Sequence, residues 1–330
     1  MSNFWLGSIF PFRAMLQNQK LPVIIPLYHT AGFHHFLPHT RFLYRNKTET
    51  DFSHDLDFLL KHYEPVHIQD LLDINSNRKK YKKPLCHITV DDGLASNQEI
   101  MAPILYKKGV PASFFINPAF LDDKAIMHRY KASLLLDWLQ RKKSEINLLS
   151  DLLKIPPRFE MIKNLILDTK YLQRKLLDDC VEKLGITWEE LLYQHPLYLS
   201  TKQVHNLTEA GFHIGAHSWD HPEYGLLSLE EQKNQTLNSL LYIKQHFNPD
   251  ITSFAFPFTD AGVSNEFFEW LNQQVDISFG CAGLKLDSNP RHFQRIPVEK
   301  YTDRVSGIIL KQTGLFYAKK IVGKHIVKHD

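Results

Sequence analysis

The stretch Cys86-His-Ile-Thr-Val-Asp-Asp-Gly93 indicates how this chain folds. Its β-prone apolar residues predict a short buried strand over 85–90, which Gly93 follows as a break. Asp91 and Asp92 therefore stand at the carboxyl end of a strand, where α/β folds place their chemistry. One carboxylate can bind a metal while its neighbour takes a proton. An Asp-Asp-Gly sequence is also typical of a solvated turn, so the interpretation depends on the rest of the chain.

Short apolar runs alternate with helical patterns on both sides of this stretch. The further predicted strands lie at 21–28, 65–68, 112–117, 212–216, 252–256, 276–279 and 294–298. Leucines repeat at helical spacing over 122–199, which predicts a helical insertion. The alternation favours an α/β fold with either a parallel barrel or an open parallel sheet. We expect residues 1–330 to form one domain that contains this insertion.

A second polar cluster, His217-Ser-Trp-Asp-His221, follows the predicted strand 212–216. Gly215 precedes it and Pro222 follows it, so a loop is expected there. Two histidines and one carboxylate, from Asp91 or Asp92, leave metal positions open for water and substrate, as a catalytic zinc site requires. Either histidine could instead be a hydrogen-bonded loop residue. Because parallel strands end on the same side of a sheet, we expect the two clusters to meet.

The composition excludes some classes of protein. With 39 Lys and Arg against 36 Asp and Glu, the net charge of +3 is too small to indicate nucleic acid binding. Three distant cysteines among 330 residues favour a reducing compartment over a disulfide framework. The paired carboxylates are adjacent, whereas a glycosidase needs carboxyl groups about 5 Å or more apart on opposite faces of a bond.

The N-terminal region is apolar between Phe4 and Phe12, but no cationic segment precedes these residues. We therefore predict no signal peptide. No run approaches 18 apolar residues, so we expect no transmembrane helix. The expected location is the cytoplasm, with peripheral membrane contact through this apolar segment as the alternative to packing against the domain.

The two clusters together resemble motifs of the polysaccharide deacetylases with a NodB homology domain, carbohydrate esterase family 4. The family's T-F-D-D-G motif corresponds to Thr89-Val-Asp-Asp-Gly93, and its H-[ST]-x-x-H motif to His217-Ser-Trp-Asp-His221. The resemblance covers about residues 20–300. It implies a distorted (β/α) barrel of about seven strands and metal-dependent removal of N-acetyl or O-acetyl groups from sugars.

The resemblance also implies roles for individual residues. Asp91 would be the general base, while Asp92, His217 and His221 would hold the metal, which is usually Zn²⁺ and otherwise another divalent transition metal such as Co²⁺. The backbone N–H of Phe258 would stabilise the oxyanion, since Ala255-Phe-Pro-Phe258 corresponds to the family's R-x-P-Y motif.

This chain departs from the family at two points. Ala255 stands where the family has the arginine that orients the base, and we expect Arg295 to replace that arginine from another strand. The family's late L-x-H motif, which supplies the general acid, is absent from the late part of the chain. His29, in Leu27-Tyr-His29, and His292 are the candidates for that acid.

Three functions remain open at this point. The first is a sugar N-deacetylase acting on a polysaccharide or an intracellular precursor of one. The second is an O-acetyl esterase or another amide hydrolase on the same scaffold. The third is a non-catalytic carbohydrate-binding protein with a vestigial metal site, which the loss of the family arginine favours and the intact Asp91 disfavours.

Overall fold

A parallel sheet of eight short strands organises the computed structural model, which describes residues 22–32, 37–74, 81–192, 196–299 and 304–329. The twelve described strands are β1 (Pro26–Tyr28), β2 (Glu64–Pro65), β3 (Leu85–Cys86), β4 (Ile88–Val90), β5 (Ala112–Ile116), β6 (His213–Ala216), β7 (Ser253–Ala255), β8 (Ile277–Gly280), β9 (Leu286–Asp287), β10 (His292–Gln294), β11 (Ile296–Pro297) and β12 (Ile326–Val327). The eight-stranded sheet has the order β10-β8-β7-β6-β5-β4-β1-β11. The apolar segment between Phe4 and Phe12 lies outside the described residues.

The two edges of this sheet are joined by a single residue. β10 pairs with β8 at one edge and β11 pairs with β1 at the other, and only Arg295 separates β10 from β11 in the chain. The sheet must therefore curl until its edges almost meet. This confirms the predicted distorted parallel barrel and excludes an open sheet.

Twelve described α-helices surround the sheet or form the insertion. They are α1 (Glu49–His62), α2 (Ile68–Asp73), α3 (Ala102–Lys108), α4 (His128–Arg141), α5 (Ile146–Leu153), α6 (Phe159–Asp168), α7 (Lys175–Lys183), α8 (Trp188–Leu192), α9 (Thr201–Glu209), α10 (Leu229–Phe247), α11 (Asn265–Gln274) and α12 (Val305–Ile321). Reciprocal side-chain caps start α9 at Ser200 and α10 at Ser228, because each serine is followed three residues later by Gln or Glu. None of the described helices is both long and apolar enough to span a bilayer.

The predicted insertion is helical, and it has a hydrophobic core of its own. Helices α4 to α8 bury a set of aliphatic side chains that includes Leu135, Leu139 and Leu177. A second apolar cluster, which contains Leu94, Phe120 and Tyr198, packs the insertion against the end of the sheet that carries Asp91 and Asp92. The insertion therefore lies beside the carboxyl ends of the strands.

Two predicted strands are each divided into two. The strand predicted at 85–90 breaks at His87, whose ring bonds to the carbonyl of Val66 and the hydroxyl of Ser113, each at 2.8 Å. The strand predicted at 294–298 breaks at Arg295, because its two halves pair with opposite edges of the sheet. Alternating apolar residues predict an extended segment but not the change of pairing partner within it.

Candidate active site

Four loops at the carboxyl ends of strands, together with the seam of the barrel, supply the predicted site residues. Asp91 and Asp92 follow β4, and His217 to His221 follow β6. Phe258 stands three residues after β7. His29 follows β1 directly, and Arg295 occupies the seam between β10 and β11. Parallel pairing places all of these ends on one side of the barrel, as predicted.

The three predicted metal ligands converge in the structure. Oδ1 of Asp92 lies 3.4 Å from Nε2 of His217 and 3.2 Å from Nε2 of His221. All three residues are buried, and Oδ1 of Asp92 has no hydrogen-bond partner in the described part of the chain. Burial alone would raise the pKa of the Asp92 carboxyl, but the two histidines outweigh it and lower that pKa well below its usual value.

The tautomer of His217 bears on what this cluster can bind. Its Nδ1 is 2.8 Å from the carbonyl oxygen of Ala255, which can only accept, so Nδ1 carries the proton. In the neutral ring, Nε2 then presents a lone pair towards Oδ1 of Asp92, which is also an acceptor. Two buried acceptors at 3.4 Å need a cation or a proton between them. This donor set of two imidazoles and one carboxylate fits a divalent transition metal.

The backbone of the site is held in unusual conformations. Asp92, Ser218, His221 and Phe258 have positive φ angles of 73°, 65°, 61° and 54°. Side chains other than glycine adopt this left-handed region rarely, and such residues cluster at functional sites. The loops after β4, β6 and β7 are therefore shaped for their side-chain positions at some cost in stability.

Asp91 has both a cation and an imidazole beside it. Its Oδ1 accepts a hydrogen bond of 2.7 Å from Nη1 of Arg295, while its Oδ2 lies 3.5 Å from Nε2 of His217. Nε of Arg295 also donates to the carbonyl of Gly280 at 3.1 Å, which fixes the plane of the guanidinium. The structure therefore brings the predicted replacement arginine into contact with the predicted base.

Phe258 brings both a ring and a backbone donor to the site. Its ring centroid lies 4.5 Å from that of His221 in an edge-to-face arrangement. No described residue accepts a hydrogen bond from its backbone N–H. Ala255, at the position of the family arginine, contributes only its carbonyl, which orients His217.

The insertion contributes a residue that sequence reasoning missed. The hydroxyl of Tyr130, on α4, donates to Oδ2 of Asp92 and lies 3.0 Å from the hydroxyl of Tyr44. Burial, followed by the charge of Asp92, raises the pKa of Tyr130 well above its usual value, so the phenol stays protonated. Tyr130 thereby leaves only Oδ1 of Asp92 free to face the histidines. No local motif marks this tyrosine, because the contact depends on how the insertion packs.

His29 forms the second ion pair of the site. Its Nδ1 lies 2.5 Å from Oε2 of Glu299, whose Oε1 accepts from the backbone N–H groups of His29 and Thr30 at 2.9 and 3.0 Å. Burial alone would lower the pKa of His29, but Glu299, Asp92 and Asp91 outweigh it and raise that pKa to about 9. His29 is therefore a cation at neutral pH.

His292, the other candidate acid, lies apart from this group. Its Nδ1 is 2.7 Å from the hydroxyl of Ser278, and its Nε2 is 3.2 Å from Asp260. Gln294 donates from one amide nitrogen to Asp260 and to Asp287, at 2.7 and 2.9 Å. These bonds satisfy a compact cluster that His329 completes against Asp287.

A cleft of about 550 Å³ opens over the candidate metal ligands. Its walls include His29, Phe258, Arg295 and Glu299, whereas His292 does not line it. This volume is typical of sites for small ligands. The cleft thus presents a cationic histidine, a carboxylate and the backbone N–H of Phe258, which no described residue accepts, to one bound molecule.

The sequence profile described as polysaccharide deacetylase matches residues 78–273, which is more than half of the chain. A comparison with curated proteins gave no significant match. The matched region contains Asp91, Asp92, His217, His221 and Phe258, but neither His29 nor Arg295.

Several solved structures have the same fold. The structure of IcaB from Ammonifex degensii matches with a TM-score of 0.56 and 16% identity, covering 89% of this chain and 98% of that one. The Streptococcus pyogenes deacetylase PplD, in complex with acetate, has a TM-score of 0.56 and 12% identity, covering 88% and 97%. The deacetylase domain of BpsB from Bordetella bronchiseptica has a TM-score of 0.52 and 12% identity, covering 84% and 95%.

These structural similarities establish the fold, since the sequence identities are low. The profile match supplies the family, and it spans both the Asp-Asp-Gly strand end and the paired histidines that meet in the structure. The chain belongs to the polysaccharide deacetylase family.

Proposed function

We propose that this protein is a metal-dependent deacetylase that removes N-acetyl groups from sugars. The observation that carries the proposal is the buried Oδ1 of Asp92, which has no hydrogen-bond partner among the described residues and faces the Nε2 atoms of His217 and His221 at 3.4 and 3.2 Å. Asp92, His217 and His221 would hold the metal, with Zn²⁺ or Co²⁺ as candidates. A bound metal supplies a Lewis acid that polarises the acetyl carbonyl and acidifies water.

Asp91 acts as the general base. It stands beside the metal ligands, and its Oδ1 is held by Arg295, so that its Oδ2 is directed to the His217 side of the site. A fixed carboxylate can accept the proton of an attacking water without reorganisation at the moment of reaction. Arg295 positions this base and also stabilises its charge in a buried place.

His29 acts as the general acid that protonates the leaving amine. It lines the same cleft as Asp91, and its pKa of about 9 keeps it protonated at neutral pH. Glu299 is the main cause of that protonation and also holds the backbone of His29 in place. Amide hydrolysis needs both an acid and a base, and here both line one cleft.

The backbone N–H of Phe258 donates to the oxyanion of the tetrahedral intermediate. It has no other partner among the described residues, and the left-handed conformation of Phe258 holds the loop that carries it. The loss of one such donor in other enzymes costs about a hundredfold or more in kcat.

The test is acetate release from N-acetylated sugars by zinc- or cobalt-loaded protein, compared with Asp91→Asn. We expect acetate and a free amine in equal amounts from the wild type, and metal content but no turnover in Asp91→Asn. Acetate from O-acetylated sugars alone would replace the proposal with an esterase. A metal-loaded wild type that released acetate from neither class would refute catalysis.

A further inference from the structure

A second cleft adjoins the proposed catalytic cleft, and the insertion forms one of its walls. This insertion groove is lined by Lys131, Tyr171 and Trp188 of the insertion and by Trp219 and Asp220 of the loop after β6. Its volume is about 510 Å³, close to the 550 Å³ of the catalytic cleft. Each volume is sufficient for a ligand of its own.

The two clefts adjoin each other at one residue. Met127 lines both of them, and the next residue, His128, lines the insertion groove. The ring of His128 lies 6.0 Å from that of Phe258, which lines the catalytic cleft. Trp219 and Asp220 stand in the chain between the candidate metal ligands His217 and His221. A chain-like ligand could therefore pass from one cleft into the other.

The aromatic side chains of the groove are already held in position. The indole N–H of Trp188 donates to Asp178 at 2.7 Å, and Nζ of Lys131 lies 4.8 Å from the indole centroid. The hydroxyl of Tyr171 donates to Asp220 at 2.7 Å. Fixed aromatic side chains lose little conformational freedom on binding, which favours affinity.

The charges of the groove indicate an uncharged, polar ligand. Four carboxylates and three cations line it, so neither sign dominates. Sugars match such a surface, because their C–H faces pack on aromatic rings and their hydroxyls bond to carboxylates and ammonium groups. A polyanion would need a clear excess of Lys and Arg.

A separate observation indicates that a polar ligand belongs in the groove. His128 is only 3% exposed, yet neither ring nitrogen has a hydrogen-bond partner in the described part of the chain. A carboxylate oxygen of Glu223 lies 3.8 Å from Nε2, which is beyond hydrogen-bond distance. A buried polar group without a partner is costly, and a hydroxyl that can both donate and accept would satisfy it.

We propose that the insertion groove is a second sugar subsite, so that the substrate is an oligosaccharide or polymer that spans both clefts. This inference rests on the proposed function, because it takes the catalytic cleft to hold the acetylated sugar. The insertion would then set the required length of the substrate, a property separate from the chemistry at the metal ligands.

The test compares kcat/KM on a small acetyl ester with that on N-acetylglucosamine oligomers of one to six units. We expect wild-type kcat/KM to rise with oligomer length. Trp188→Ala should lower kcat/KM on the longer oligomers by about tenfold, because one aromatic anchor of the sugar is lost. The same variant should leave kcat/KM on the ester unchanged. Tyr106→Ala, which removes a ring that is 69% exposed and lines neither cleft, is the matched control. Equal losses on ester and oligomers, or no loss on oligomers, would overturn the inference.

His128→Leu gives an independent readout. Removing an unsatisfied buried imidazole should raise the Tm, whereas the loss of a sugar partner should lower kcat/KM on oligomers. If the wild type deacetylates no oligomer, the proposed function fails, and the groove is tested by titrating the metal-free protein with the hexamer. Binding that Trp188→Ala loses and Tyr106→Ala keeps would support the subsite, and the absence of binding would refute it.

Discussion

Nη1 of Arg295 donates a hydrogen bond of 2.7 Å to Oδ1 of Asp91, across 204 positions of sequence. The contact exists because the closing strand changes partner from β8 to β1 at Arg295, while Asp91 directly follows β4, which is the next strand beside β1. Both side chains are buried, so each charge depends on the other. The closure of the barrel and the placement of the proposed base are thus one structural feature.

Arg295→Ala should lower kcat by about tenfold to a thousandfold with little change in KM, because the base loses its position and its counter-charge. Both constants are obtained from the rate of acetate release by metal-loaded protein, measured in a stopped assay. Arg291→Ala is the matched control, since among the described residues that exposed guanidinium bonds only to the carbonyl of Asn272, near the same strand. Unchanged turnover in Arg295→Ala would remove Arg295 from the mechanism.

Metal analysis should find about one zinc per chain after gentle purification, and His221→Ala should lose it, because the set needs all three ligands. His329→Ala is the control. His329 lies in a second cluster of possible metal ligands, with Asp260, Asp287 and His292. There the amide nitrogen of Gln294 already donates to both carboxylates, so we expect no metal in that cluster. The amide oxygen of Gln294 accepts from Ala282 at 2.7 Å, which fixes the orientation of that donor. Two zinc ions per chain, or metal retained in His221→Ala, would contradict this assignment.

Tyr130→Phe should weaken metal affinity by about tenfold to a hundredfold, as expected when a hydrogen bond to a ligand is removed. The phenyl ring keeps its packing, so folding should change little. Competition with a chelator measures the affinity. Tyr224→Phe removes an equally buried hydroxyl, bonded to Thr236, and should leave the affinity unchanged. Similar affinities in wild type and Tyr130→Phe would show that the hydroxyl does not position Asp92.

The parts of the site that could be predicted are those with local patterns. Asp91, Asp92, His217 and His221 each follow an apolar run, and parallel strands bring such ends together whatever their order in the sheet. Ala255 stands at the position of the family arginine, and this substitution predicts a replacement arginine such as Arg295. The physical basis is that strand ends and motif spacings are properties of a few consecutive residues.

The remaining features depend on packing between distant segments. The partner of His29 is Glu299, 270 positions away, and no pattern in either segment indicates the pair. Tyr130 reaches Asp92 only because the insertion folds back over the strand ends. Helical periodicity predicts that the insertion has a buried face, but it does not predict which neighbour covers that face.

Glu299→Gln should move the alkaline limb of the kcat/KM profile to lower pH by about one unit or more. In the wild type, His29 is protonated below its pKa of about 9, so activity falls as the pH rises through that value. Glutamine keeps an oxygen for the backbone N–H groups of His29 and Thr30 but removes the charge that raises the pKa. Profiles between pH 6 and 10 measure the shift, with the exposed Glu266→Gln as control.

The same pair affects stability with a defined sign. Because folding raises the pKa of His29 from 6.5 to about 9, the pair stabilises the protein fully below pH 6.5. That contribution is lost as the pH rises from 6.5 through 9. Thermal unfolding across this range should therefore show a smaller decline in Glu299→Gln than in the wild type. Identical declines would mean that His29 does not carry the raised pKa.

Gly215→Ala should destabilise the fold by about 1–3 kcal/mol and weaken metal binding with it. A methyl group there would overlap the hydroxyl of Ser253 and the ring of Phe115, so β6 would have to move. His217 follows two residues later, and its position depends on that strand. The matched control is Gly314→Ala in α12, where a methyl group meets no atom within 4 Å. Since alanine is the better helix former, that variant should gain about 1 kcal/mol in urea unfolding and retain its metal. Normal metal affinity in a destabilised Gly215→Ala would show that β6 does not position the histidine.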